Sequence, residues 1–139
     1  MPIAAAPAAT REEGRMLSNA RTHTTLPCQD LQRAREFYST RLGLEPAEEA
    51  PAGLFYDSGG TRFLLFPSSG RPSGDHTQMG FRVDDIDSTI RDLKDREVEF
   101  ERYDFPGFDK ETSIATTGDV RSAWFKDSEG NLLGVVQLP

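Results

Sequence analysis

Phe55-Tyr-Asp57-Ser58-Gly-Gly60 returns seventy residues later as Phe125-Lys-Asp127-Ser128-Glu-Gly130, with four of its six residues identical. A second pair repeats at a shorter offset: Leu26-Pro-Cys-Gln-Asp30-Leu31 and, 55 positions on, Phe81-Arg-Val-Asp-Asp85-Ile86. Each member of that pair is an extended run meeting an acidic helix start. The chain therefore reads as a duplication. Growth of the offset from 55 to 70 places about 15 extra residues in the second copy, between its helix and its final hairpin. The same offsets pair His23 with Gln78, and Leu64 with Gly134.

Working outward, residues 21–27 alternate with Thr in a way that suits a strand. Asp30 is the expected N-cap of a helix with Leu31, Ala34, Phe37, Tyr38 and Leu42 on one face, and Gly43 supplies its left-handed stop. Pro46 and Pro51 confine any following strand to a short or edge role. Residues 54–56 and 61–66 flank Ser58-Gly59-Gly60, a hairpin signal. The second copy opens at 77–83. Its helix is capped by Asp84 or Asp85 and buries Ile86, Ile90 and Leu93. Asp84, Asp85 and Asp87 lie where the helix dipole favours carboxylates, so they read as helix-start residues rather than catalysts. Residues 98–103 alternate as a strand, 104–120 form the inserted region, and 121–126 and 132–138 form the last hairpin.

The expected fold class is α+β. Two strand–helix–three-strand modules form a cup-shaped, incompletely closed mixed sheet with helices outside, since pairing the sheets around a common cleft buries what each leaves exposed. The expected boundaries are a disordered tail over 1–20, with Met16 as an alternative start, and one domain over 21–139. Within it, module one spans 21–67, a Ser/Gly/Pro-rich linker 68–76, and module two 77–139.

At 139 residues the chain fits one domain, and 36% hydrophobic with 28% charged residues is ordinary for a soluble protein. No run approaches the roughly 18 apolar residues of a membrane span. A net charge of −7 and a pI near 4.8 argue against nucleic-acid binding. Cys28 stands alone, which excludes an intrachain disulfide and a cysteine metal cluster, and it reads as a buried structural thiol. Pro2 and Pro7 interrupt the N-terminal apolar stretch, unlike a secretory signal, so a cytoplasmic location is expected.

The residues His23-Thr-Thr-Leu-Pro-Cys-Gln-Asp30-Leu31, Ala34 with Phe37-Tyr38, Leu42-Gly43-Leu44, Phe81-Arg-Val-Asp-Asp85-Ile86 and Trp124-Phe-Lys-Asp127-Ser-Glu-Gly130-Asn131 resemble the vicinal oxygen chelate superfamily. That superfamily includes glyoxalase I, fosfomycin-resistance thiol transferases, extradiol dioxygenases, methylmalonyl-CoA epimerase and bleomycin-resistance proteins. The resemblance covers about 21–138. Phe105-Pro-Gly107 and Ala123-Trp124-Phe125-Lys126 also look like a common bacterial branch known only as glyoxalase-like. The resemblance implies a cup of two βαβββ modules, with metal ligands on the first and fourth strands of each in metal-dependent members. Those positions fall on His23 and Gln78, and on Leu64 and Gly134, where the ligand carboxylates would stand.

A divalent ion wants about three protein ligands and open positions for water and substrate. His23 is a sound ligand type and Gln78 a weak neutral one; His76 would share the face of Gln78 if that strand extends far enough. No carboxylate is available, so no metal and no cofactor is expected, with a divalent ion on His23, Gln78 and His76 as the alternative. The other reading of His23 and Gln78 is as hydrogen-bonded polar groups in the cup, and of His76 as an exposed loop histidine. Strand parity adds Thr25 to the face of His23. In fosfomycin-resistance relatives, residues matching Thr25, Ser122 and Trp124 face the cup. Trp124 would offer a π-rich wall for a flat or cationic ligand, or simply pack in the core. Arg62 and Arg82 share the inward parity but read as salt-bridged surface positions. Tyr103, Phe105, Phe108 and Ile114 make the insertion an ordered flap over the cup mouth or a dimer contact.

The expected ligand-binding set is thus His23, Thr25, Gln78, Ser122, Trp124, Phe105 and Phe108. The leading expectation is a homodimeric, metal-independent protein that holds a small organic molecule in its cup and binds neither nucleic acid nor membrane. Whether it is an enzyme is left open. The alternative is a metal-dependent lyase, isomerase or dioxygenase with an atypical His/Gln site, and His23 is the one candidate for metal-free acid–base work.

Overall fold

The computed structural model describes residues 16–139. Most of the expected tail lies outside the described residues; within it, Met16–Asn19 form one short 3-10 helix rather than irregular chain. The first module is β1 (Thr24–Cys28), α1 (Leu31–Leu42), β2 (Glu48–Ala50), β3 (Gly53–Ser58) and β4 (Thr61–Pro67). The second is β5 (Met79–Arg82), α2 (Ile86–Asp95), β6 (Phe108–Asp109), β7 (Ile114–Thr117), β8 (Val120–Lys126) and β9 (Leu132–Gln137). They make a four-stranded sheet ordered β1-β4-β3-β2 and a five-stranded sheet ordered β5-β9-β8-β7-β6, neither closed. In each, the first strand runs parallel to the last and the rest are antiparallel; because the insertion adds β6, β9 is the fifth strand of its sheet but the counterpart of β4, the fourth strand of a module, as β8 is of β3, the third.

Local chemistry starts and stops the helices as expected. The Asp30 carboxylate accepts the Arg33 amide at 3.0 Å, and Gly43 takes φ 71°, sending its N–H back to Ser39. Asp85, not Asp84, caps α2 by accepting the Ser88 amide at 3.2 Å. Asp87 pairs with Arg121 at 2.8 Å.

The duplication appears directly in the parallel registers. Thr24 pairs with Phe63, and Met79 with Leu133, so the offsets of 55 and 70 are those of the first and fourth strands. The third strands fall one residue out of that step. Tyr56 faces Phe63 and Phe125 faces Leu133, making Tyr56 the counterpart of Phe125 and Phe55 the counterpart of Trp124. Both Tyr56 and Phe125 are fully buried, so burial sets this register and the Phe55/Phe125 identity does not.

The insertion departs most from expectation. The strand foreseen over 98–103 reduces to one bridge, Phe100 to Phe125, and a 2.7 Å bond from the Glu101 amide to the Trp124 carbonyl. The physical reason is competition for the edge of β8: β7 already pairs with Val120, Arg121 and Ser122. Residues 104–120, foreseen as a loop, supply β6 and β7, which widen the second sheet. Gly107 closes this ribbon with φ 93° and a Cα so near Thr116 that a Cβ would lie 2.6 Å from the Thr116 carbonyl oxygen.

Both modules share one buried cluster. Tyr38 of α1 meets the stacked pair Tyr56 and Phe63, whose ring centroids are 5.0 Å apart. Phe63 touches Phe81 edge-on across the modules. Ile86 and Ile90 bring α2 into the same cluster with Phe125, Leu133 and Val135.

A buried polar joint locks this arrangement. Asp127 accepts the Tyr38 hydroxyl at 2.7 Å and the Asn131 side-chain amide at 2.9 Å, while its other oxygen accepts the Glu129 and Asn131 amides. Asn131, fully buried, also donates to the Pro27 carbonyl at 3.1 Å and accepts from Gln78 at 3.0 Å. Glu129 binds the Arg33 guanidinium at 2.8 and 3.1 Å and the Asp30 amide at 3.0 Å. Burial and then the nearby Asp127 raise the Tyr38 hydroxyl well above its ordinary pKa. The same two causes push the Cys28 thiol up to about 12, which makes it an inert core residue.

Removing a buried hydrogen-bond partner costs on the order of 1–3 kcal/mol, and Asp127 serves several donors at once. Asp127→Ala is therefore expected to lower unfolding stability by about 3 kcal/mol or more, and Tyr38→Phe by about 1–2 kcal/mol, in urea denaturation. Losses below about 0.5 kcal/mol for both would contradict the joint. A second expectation concerns acid. Burial alone would raise the Glu129 carboxyl, but its bonds to Arg33, Asp30 and Ser128 outweigh that and leave its pKa below the ordinary value. The stabilisation is then present above the unfolded glutamate pKa, about 4.3, and is lost as pH falls through the lower folded value. Glu129→Gln is expected to flatten the stability–pH curve below about pH 4.3, and an unchanged slope would refute the assignment.

Candidate functional site

Alternation in the strands decides which side chains face away from the shared core. On β1, Leu26 and Cys28 are buried in the core, so Thr25 takes the opposite face, and His23 continues it just before the strand. On β8, Ala123 and Phe125 enter the core, and Ser122 and Trp124 take the other face. Register places Leu64 beside Thr25 and Phe55, and Gly134 beside Gly80 and Trp124. The two fourth-strand positions thus sit on the cup face where the resemblance puts carboxylates.

Gly134 packs against Trp124. The indole of Trp124 lies over it, and a Cβ at 134 would come within 3.4 Å of Trp124 Cδ1 and of Thr77 Cγ2. Trp124 is fixed there by a 3.0 Å hydrogen bond from its indole nitrogen to the Thr77 hydroxyl. Tyr103 stands edge-on to Trp124 at 5.6 Å, and Phe105 and Phe108 join Tyr103 at 6.0 and 5.8 Å. The insertion therefore extends the sheet and continues the apolar surface from Trp124 through Tyr103 to Phe105 and Phe108. Phe105 remains 41% exposed, which leaves this wall open to solvent. Burial raises the Tyr103 hydroxyl above its ordinary pKa, with Glu101 adding to the effect.

The remaining expected residues are spread out. Gln78 is committed to the joint: its amide nitrogen donates to Asn131, and its oxygen accepts the Leu132 amide at 3.3 Å. His76 lies in the linker, exposed, with Nδ1 3.2 Å from the Ser73 hydroxyl, and does not continue the Gln78 strand. His23 stands edge-on to Phe55 at 6.1 Å. Thr25 is exposed and Ser122 half-buried on the same face. Arg62 is salt-bridged to Asp57 and Glu48, as its surface reading anticipates. Arg82 has no ion-pair partner among the described residues.

This donor set does not fit the usual metal centre. Leu64 and Gly134 offer no donor atom, the Gln78 amide is already bonded at both ends, and among the described residues no three His, Cys, Asp or Glu side chains come together. Two contributors escaped notice in the sequence. Thr77 anchors the indole, and Phe55, the structural counterpart of Trp124, stacks under the Arg62 guanidinium at 5.2 Å and beside His23. Aligning Leu54-Phe55-Tyr56 with Ala123-Trp124-Phe125, one residue off the obvious match, would have revealed Phe55.

The comparisons with known proteins agree with this architecture. A protein of Bacillus subtilis strain 168, the uncharacterised YurT, is 30% identical over 122 residues, covering 82% of this chain and 95% of YurT. A glyoxalase/bleomycin resistance protein/dioxygenase from Alicyclobacillus acidocaldarius superposes with a TM-score of 0.66 at 21% identity, covering 86% of this chain and 92% of the other. The fosfomycin resistance protein FosX of Listeria monocytogenes superposes with a TM-score of 0.64 at 16% identity, covering 84% and 90%. At these identities the two structures speak to the fold alone. The profile of one family matches residues 21–135, nearly the whole of both modules. The chain belongs to the Glyoxalase/Bleomycin resistance protein/Dioxygenase superfamily.

Proposed function

We propose that this protein holds a small, flat organic molecule against the aromatic wall of its cup, without the metal centre that other superfamily members use. The observation that carries the reading is the Trp124 indole lying over Gly134, tied to Thr77 and met edge-on by Tyr103, on which Phe105 and Phe108 pack. An indole with an open aromatic neighbourhood offers a large apolar face at little cost in side-chain freedom, the property expected of a binding wall. Ser122, two residues from Trp124 on the same strand face, is proposed to orient the ligand, with Thr25 and His23 contributing from the first module. The part foreseen for Gln78 is weaker, since its amide already serves the module joint.

Binding without chemistry is the simpler role for such a site. Metal-assisted chemistry needs an ion to polarise substrate oxygens, and the four ligand positions here offer one imidazole, one committed amide and two residues with no donor. Sequestration of a small molecule, by a homodimer in the cytoplasm, is the setting we propose for this acidic chain.

Trp124 is the only tryptophan in the chain, so its fluorescence reports on the proposed site without labelling. Titration with quinoline and acridine as planar probes is expected to quench that emission saturably. Tyr103→Ala and Phe105→Ala are each expected to weaken binding by about three- to tenfold, the value of one aromatic contact. Linear, unsaturable quenching with both probes, or variants that bind as tightly as the parent, would remove the aromatic wall from function.

A further inference from the structure

The joint between the modules is clasped at one end and open at the other. Near the end of β1, Asn131 ties Pro27 to Gln78 at the start of β5. At the opposite end, the residues leading into β1 and the last residues of β5 line a cavity of about 560 Å³, reached also by the turn between β3 and β4. Its charged and titratable lining is Arg62, Arg82 and His23, with hydroxyls from Thr22, Thr24 and Thr61. No carboxylate lines it, although the protein carries 23 Asp and Glu against 16 Lys and Arg. Its apolar side is Phe63, Met79 and Phe81.

We infer that this cavity is a binding site for an organic anion, with a carboxylate or phosphate group held by Arg82, His23 and the threonine hydroxyls and its hydrocarbon part on Phe63 and Phe81. Three features of the lining carry the argument. Arg62 already spends its charge on Asp57 at 2.7 Å and Glu48 at 3.1 Å. Arg82, exposed and with no carboxylate partner among the described residues, supplies the uncompensated charge. A guanidinium with hydroxyls around it suits an oxyanion, which accepts several hydrogen bonds at once. The surrounding acidic surface repels anions in general, so an anion-selective cavity within it is a local exception set by side chains. Trp124 does not line this cavity, which shares only His23 with the site proposed on the aromatic wall.

Benzoate, phenyl phosphate and neutral benzyl alcohol share one ring and differ in charge, which makes them suitable probes. Amide chemical shifts of the full-length protein, followed by NMR at low salt, are expected to move at Gly59, Thr61, Gly80 and Arg82 with both anions. Benzyl alcohol is expected to bind at least about tenfold more weakly, and Arg82→Gln to reduce anion affinity by about tenfold, the worth of one charge-assisted hydrogen bond. Arg82→Lys should recover part of the loss, and Trp124→Leu should leave anion binding unchanged. The ratio of benzoate to phenyl phosphate affinity identifies the preferred oxyanion. Equal binding of the alcohol, unchanged affinity in Arg82→Gln, or shifts centred on Trp124 would overturn the inference.

Discussion

Asp127 is the group on which the two modules depend. Four donors converge on its carboxylate, one from α1 of the first module and three from its own hairpin. A buried carboxylate persists only where its oxygens are fully bonded, and here the bonding partners belong to both halves of the chain. Through Asn131 the same group reaches Pro27 and Gln78, and the neighbouring Glu129 reaches Arg33 and Asp30. The hairpin of module two is thereby pinned to the start of α1. Everything on the cup face is positioned by that junction, because β8 and β9, which carry Trp124 and Gly134, emerge from it.

The cup that results is chemically different from a metal site built on the same frame. Gly134 brings no donor atom, and the Trp124 indole packs at van der Waals distance from where its Cβ would be. Tyr103, Phe105 and Phe108 extend the apolar surface that the indole begins. Gln78, the remaining first-strand position of module two, has been drawn into the joint instead of the cup. Three of the four ligand positions have thus taken structural or apolar roles, and His23 alone keeps a ligand's chemistry.

Much of this was legible in the residues because the signals are local. Asp30, Asp85 and Gly43 act through their own backbone neighbourhoods, and each does in the structure what its chemistry requires. The offsets of 55 and 70 survive as strand registers because first and fourth strands pair directly. What escaped depends on competition between distant segments. Residues 98–103 have the alternation of a strand, but β7 takes part of the β8 edge first, leaving room for one bridge. The role of Phe55 was hidden because an identical Phe125 suggested the wrong register, and only burial of Tyr56 and Phe125 corrects it. Gln78 looked like a ligand because its partner Asn131 is 53 residues away.

We propose that the Trp124 indole stands where a metal centre would be completed on the same frame. Metal analysis of the full chain, purified without chelator and then offered Zn2+, Mn2+ or Ni2+, tests this. No stoichiometric ion is expected, and added metal is expected to leave the thermal midpoint of both wild type and His23→Ala unshifted. One equivalent of a divalent ion per chain, lost on His23→Ala, would contradict it.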